Sequence, residues 1–112
     1  MNDFADDLGS RTCSDDLEAG PLRLEGRAFL APMSGVTDLG MRRIARRFGA
    51  SLVVSEMVAS DEYTRGDLAN RIKAEGQGLD LHVVQIAGCD PRLMGEAARL
   101  AEGSGAAMID IN

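Results

Sequence analysis

The chain has 112 residues, 45% of them hydrophobic, and a formal net charge of −6. That is room for one small globular unit, and it excludes a collagen, a coiled coil or a helical membrane span, since no apolar run approaches the roughly 18 to 20 residues a bilayer crossing needs. The charge is concentrated: residues 1–20 hold six acids against the single base Arg11, while the rest carries 12 acids and 11 bases, so the near-neutral body makes no electrostatic case for nucleic-acid binding by itself.

The first stretch, MNDFADDLGSRTCSDDLEAG, places acids where a signal peptide would place basic and then apolar residues, which points to the cytoplasm. Its apolar residues are too scattered to offset the entropy of ordering, so residues 1–20 are expected to be a disordered acidic tail. From residue 21 the chain is punctuated regularly. RAFLAPM reads as a short strand ending at Pro32, followed by the loop SGVTD. In LGMRRIARRFGA, Met41, Ile44, Ala45 and Phe48 share one helical face and Arg42, Arg43, Arg46 and Arg47 fill the other, with Thr37 or Asp38 as N-cap and Gly49 as stop.

The pattern repeats. SLVVSEM, residues 51–57, reads as a buried strand, helical segments follow from about Ser60 to Ala74, and EGQGLD is a turn-rich connection. HVVQIAG, residues 82–88, is a third strand, and Asp90 before Pro91 is an N-cap followed by proline at the first helical position. The helix PRLMGEAARLAEGSG closes at Gly103 or Gly105, and AAMIDIN, residues 106–112, is a fourth strand. Cys13 and Cys89 have a spacing that fits no metal or redox motif; both are read as free thiols, and no metal site is expected.

Strands that are apolar throughout, alternating with amphipathic helices, imply an α/β architecture with a parallel sheet in the order βαβαβαβ. A dinucleotide-binding sheet would need G-x-G-x-x-G after its first strand, and APMSGVTD has one glycine, so a (β/α)8 TIM barrel is favoured. Such a barrel takes about 200 residues or more, which makes residues 21–112 the first half of one. Its functional residues belong at the C-terminal strand ends: Pro32, Met33 and Ser34; Ser55, Glu56 and Met57; Gln85, Ala87 and Gly88; Asp110 and Asn112. Amides, sulfur and small residues there suit a planar hydrogen-bonding ligand better than hydrolysis, and the Gln85 amide carries the donor and acceptor that a flavin or pyrimidine edge requires.

In order and spacing, APMSGVTD, RRFGASLVVSEM, HVVQIAGCDP and IDIN closely resemble the N-terminal half of the bacterial tRNA-dihydrouridine synthases, in particular the DusB-like branch, over residues 22–112. The resemblance implies an FMN enzyme that reduces the C5–C6 double bond of uridines in tRNA with NADPH as reductant. Hydride passes from the flavin to uracil C6, and a cysteine supplies the proton at C5. By position, Pro32, Met33 and Ser34 would lie along the flavin, Gln85 would hydrogen-bond its pyrimidine edge, and Asn112 would help orient flavin and uracil. In the family the fourth strand continues into Met-Gly-Cys-Pro with the proton-donating cysteine; residues 1–112 stop before it, so they are read as an N-terminal fragment, inactive alone. The family's later phosphate-binding loops and helical tRNA-binding domain also fall outside these residues. The family usually has Pro-Phe where this chain has Gly40-Met41, a change expected to weaken the packing of the first helix.

Other residues are assigned blander roles. Cys89 lies in the turn after the third strand, not the fourth, and is read as a partly buried thiol. His82 opens its strand at the end opposite the functional face, so a structural or surface position is expected. The four helix arginines are expected to form a solvated outer face. Glu56 is read as either orienting the site or forming a structural ion pair, and Asp110 as supporting neighbouring loops. An open half barrel would expose strand edges and apolar interior, predicting poor solubility or dimerisation. Two alternatives stay open: another FMN-dependent barrel oxidoreductase, and a non-catalytic regulatory remnant.

Overall fold

The computed structural model describes residues 16–112. Leu17–Ala19 (β1) and Leu22–Leu24 (β2) form an antiparallel hairpin with Ala19 opposite Leu22. The two-residue loop between them starts on Gly20 at φ 57°, the left-handed backbone that a hairpin turn needs at this position. This corrects the disordered tail at its C-terminal end: residues 16–20 are ordered, and the other fifteen residues of that segment, with Cys13, lie outside the described residues. The reason is alternation. Leu17, Ala19 and Leu24 pack on Leu52, Val54 and Val83, while Glu18 and Arg23 pair across the outer side and Arg23 bridges to Asp16 at 2.7 Å.

The remaining elements follow in chain order. Phe29–Leu30 (β3) leads through a turn to helix Leu39–Arg47 (α1), then Leu52–Val53 (β4) and Val58–Ala59 (β5). Two short helices, Ser60–Thr64 (α2) and Leu68–Lys73 (α3), precede Val83–Ala87 (β6), helix Pro91–Gly103 (α4) and Met108–Ile111 (β7). β3 pairs with β4, and β5, β6 and β7 form a three-stranded sheet, all in parallel. The expected strand over residues 51–57 is split: Val54 still bridges to Val83, but the backbone breaks at Ser55–Met57 before pairing with β6 resumes at Val58. Ser55 still donates its backbone N–H to Val83 O at 3.1 Å, and beyond it the side chains of Ser55 and Glu56 bond other groups. No helix among the described residues is long and apolar enough to cross a membrane.

One face of the β5–β6–β7 sheet is covered by helices: Val58, Val84 and Ile86 pack with Tyr63, Ala97 and Ala101. On the other face the hairpin residue Leu24 joins Leu52, Val54 and Val83, covering the N-terminal ends of β4 and β6. Helix starts are set as the sequence predicts. Asp38 accepts the Met41 amide at 2.8 Å at the start of α1, and Asp90 accepts from Arg92 and Leu93 around Pro91.

The orientation of α1 overturns the expected solvated arginine face in part: Arg43 and Arg47 are exposed, but Arg46 is half-buried and Arg42 is not exposed at all. Arg42 is fully buried, whereas Ile44 and Phe48 are 55% and 68% exposed. Carbonyl oxygens account for this. Arg42 donates to Thr37 O and to Lys73 O at the end of α3, both at 3.1 Å, and Arg43 donates to Gln77 O. Arg46 donates to Ala50 O at 2.8 Å and Ser51 O at 3.1 Å, and holds Asp80 through both carboxylate oxygens at 2.8 and 2.7 Å. Chain ends and turns leave carbonyls without backbone donors, and guanidinium groups supply five donors each. His82, just beyond Asp80, is buried as well, which resolves its expected position as structural. Its ring lies flush on Gly76, where a Cβ would sit 2.2 Å from the imidazole.

Two expected outcomes follow from this junction. Arg42→Met should lower stability to urea by about 3 kcal/mol because it removes two buried charge-assisted bonds, while Ile44→Ala should change it by no more than about 0.5 kcal/mol; the opposite order would contradict the arginine-inward orientation. Burial holds the His82 imidazole below its ordinary value of 6.5, opposed by a bond with the Ala74 backbone and reinforced by the Arg42 charge. The folded state therefore keeps His82 neutral while the unfolded chain takes up a proton below pH 6.5, so this contribution is complete above that pH and declines as pH falls below it. Unfolding titrations should show that decline in the wild type and a flatter profile for His82→Phe. At lower pH the Arg46 guanidinium, which holds Asp80 down to about 2, adds a second acid loss between pH 3.8 and about 2.

Candidate functional site

The C-terminal ends of β6 and β7 bring three predicted residues together with one that was underestimated. Gln85 and Asp110 are directly opposite in the parallel register, so their side chains emerge on the same face. Gln85 Nε2 donates to Asp110 Oδ2 at 2.7 Å. Asn112, two residues further along, has its Nδ2 3.5 Å from Gln85 Oε1 and 3.6 Å from Met57 Sδ, and its backbone N–H donates to Ile86 O at 2.9 Å. Asp110 was expected to support neighbouring loops; instead it engages the Gln85 amide.

The broken segment between β4 and β5 supports this group from one side. The Gln85 backbone N–H donates to Ser55 Oγ at 3.0 Å, and that hydroxyl donates onward to Glu56 O at 2.8 Å. Ser55 is fully buried. The strand-end pattern named Ser55, but not the bond that its hydroxyl accepts from the Gln85 backbone.

Glu56 supports the predicted Pro32, Met33 and Ser34 turn. Its Oε1 accepts the Gly35 N–H at 2.6 Å, a contact across 21 residues of sequence. Gly35 has φ 73°, which a side chain would resist, and the turn is closed by Val36 and Thr37 amides donating to Met33 O at 3.0 and 2.9 Å. Thr37, fully buried, also accepts the Met33 N–H at 3.0 Å. Of the two readings of Glu56, the geometry favours the orienting one: its carboxylate accepts a backbone amide of the turn, and no ion pair to it is formed among the described residues.

Pro32 and Asp110 line a mostly apolar hollow of about 290 Å³ together with Leu30, Val54, Val83 and Met108. Met33 and Met57 are 40% and 41% exposed, and Ser34 is exposed in the turn. An apolar hollow with a few polar groups at its edge suits a planar heterocycle. A larger crevice of about 730 Å³, lined by Tyr63, Glu75, His82 and Leu100 among others, opens near the opposite end of β6, away from every residue the strand-end pattern selects. Cys89 is exposed in the β6–α4 turn, more open than the partly buried thiol expected. Among the described residues, no group of three or more His, Cys, Asp or Glu side chains converges as a metal site would require.

Comparison with known proteins bears on this arrangement. The family model described as dihydrouridine synthase matches residues 29–112. A probable tRNA-dihydrouridine synthase of Rickettsia conorii is 46% identical over 99 residues, covering 86% of this chain and 30% of that protein. A probable tRNA-dihydrouridine synthase of Rhodobacter capsulatus is 49% identical over 94 residues, 81% of this chain and 29% of its own, and tRNA-dihydrouridine synthase B of Pseudomonas aeruginosa is 47% identical over 94 residues, 83% and 28%. The chain thus spans about 30% of the length of the curated relatives it matches. No solved structure gives a significant match.

If Glu56 holds the turn at Gly35, Glu56→Ala should speed hydrogen exchange of the Gly35 amide by about tenfold or more, since a charge-assisted bond contributes roughly 1.5–3 kcal/mol. Amides in α4 should exchange as before. Unchanged Gly35 exchange would remove Glu56 from the site.

Proposed function

Because the chain belongs to the dihydrouridine synthase family, we propose that residues 21–112, extended by the β1–β2 hairpin, are the first half of an FMN-binding (β/α)8 barrel whose complete protein reduces uridine in tRNA, in the cytoplasm, with NADPH. The observation that carries this reading is the Gln85, Asp110 and Asn112 cluster at the strand ends, of which Asp110 also lines an apolar hollow, in a chain matched by the family over residues 29–112.

The residues fit a flavin in kind. Pro32 and Met33 offer apolar contact, Ser34 a hydroxyl, and Gln85 and Asn112 the donors and acceptors for a pyrimidine-like edge. When bound, FMN supplies hydride for the C5–C6 bond of uridine. The protein's own part is to hold the ring, keep its polar edge matched by amides, and keep water from the apolar walls. Ser55 and Glu56 do not touch ligand in this reading; they fix the strand end and the turn that do. The motif resemblance assigns the proton donor to a cysteine after residue 112, so residues 1–112 by themselves are inactive, and the helical tRNA-binding domain likewise belongs to the rest of the protein.

The test is to fuse residues 1–112 in frame to the portion of the Rhodobacter capsulatus relative that follows the matched segment. The chimera should bind FMN and, with NADPH and unmodified tRNA, convert uridine to a product heavier by two hydrogens, while residues 1–112 alone should not. A folded chimera that binds no flavin would overturn the reading, and so would product formed by residues 1–112 alone.

A further inference from the structure

We propose that Asp110 is a positioning residue that fixes which end of the Gln85 carboxamide faces the strand-end mouth. This rests on the flavin reading for its ligand but not for its geometry. An ionised carboxylate accepts hydrogen bonds and cannot donate them. The 2.7 Å contact from Asp110 therefore turns the NH2 end of Gln85 toward β7. Its oxygen is left facing Asn112, whose Nδ2 stands 3.5 Å away. Gln85 cannot relax around this contact by moving its backbone, because its N–H is tied to the buried Ser55 hydroxyl. Without the carboxylate the two ends of a glutamine amide are similar in shape, and the flipped form becomes populated.

The consequence is a defined sequence of groups at the mouth. Asn112 Nδ2 is a donor, Gln85 Oε1 beside it an acceptor, and the second Gln85 N–H on the far side of that oxygen another donor. That order complements a planar imide edge, in which an N–H lies between two carbonyls. It does not complement an edge with the N–H replaced by an acceptor or a methyl group. Asp110 thus acts on ligand choice through Gln85, without itself contacting the ligand.

The decisive measurement is the side-chain amide spectrum of Gln85 in isotopically labelled residues 1–112, compared with Asp110→Asn and Asn112→Ala. The two Nε2 proton signals of a glutamine stay separate whichever way the amide is flipped, so the readout is their cross-relaxation with β7. The wild type should show close cross-relaxation between the Gln85 Nε2 protons and β7; Asp110→Asn should weaken it, and Asn112→Ala should leave it in place. Undiminished cross-relaxation in Asp110→Asn, or its loss in Asn112→Ala, would overturn the assignment to Asp110; the second variant keeps the test decisive should the first not fold. A second arm measures binding of FMN and of its N3-methyl analogue to the same barrel chimera with and without Asp110→Asn. Wild-type sequence should prefer FMN by about tenfold or more, as expected for a lost bond that leaves a polar group unpaired, and the variant should lose most of that preference. If the amide signature behaves as expected but the chimera binds no flavin, the flavin reading fails and the Gln85 orientation stands.

Discussion

The arginine clasp between α1 and residues 73–80 is the constraint on which the rest of the structure depends. Arg46 joins the entry of β4, through the Ala50 and Ser51 carbonyls, to Asp80 at the approach to β6. Those are the two strands that meet at the Val54–Val83 bridge. Arg42 ties the loop before α1 to the end of α3. Two buried nitrogens at this junction, Arg42 Nη1 and His82 Nε2, have no partner, so the clasp is held by strong bonds to carbonyls and carries an uncompensated polar cost. Shifting the start of β6 by one residue would send Gln85 to the helix-covered face and Val84 or Ile86 into the mouth. The junction at the far end of the strands is therefore what sets the orientation of the residues at the near end.

Much of the scaffold was legible from local chemistry. Asp38 and Asp90 cap helices where a short acceptor precedes a helical pattern, and the apolar runs around Leu52, Val83 and Met108 are strands. Legibility failed where tertiary partners override local pattern. Ile44 and Phe48 look like the buried face of α1 until carbonyls at 37, 73 and 77 compete for the arginines on its other side. A helical pattern identifies two faces but not which is covered. Leu17 and Ala19 looked like isolated apolar residues in an acidic tail because their partners, Leu52 and Val83, lie far along the chain.

The candidate site shows the same division. Strand ends could be read from the sequence, so Gln85 and Asn112 were found as a pair of amides. The register between β6 and β7 could not, and only the register sets Asp110 opposite Gln85. Ser55 and Glu56 were named as strand-end residues, but not the bonds they accept from the Gln85 and Gly35 amides. Both carboxylates of the mouth, Glu56 and Asp110, accept hydrogen bonds from amides, one of the backbone and one of a side chain. Acids placed this way shape the positions of neutral groups, which suits recognition of a neutral planar edge better than acid–base chemistry by these two residues.

Polarity along the strands explains how one small sheet can be both stable and open. On the face away from α4, each strand passes from apolar to polar toward its C-terminal end: Leu52 and Val54 before Glu56, Val83 before Gln85, Met108 before Asp110 and Asn112. The apolar ends are closed by the hairpin through Leu17, Ala19 and Leu24, where burial contributes roughly 25 cal/mol per Å2. The polar ends have hydrogen-bond partners on the protein yet keep unfilled capacity on Gln85 and Asn112. Exchanging the two gradients would bury unpaired amides under the hairpin and expose Val83 and Met108 at the mouth. The hairpin and the amide cluster are in this sense one design, since the first allows the second to remain open without cost to the core beneath it.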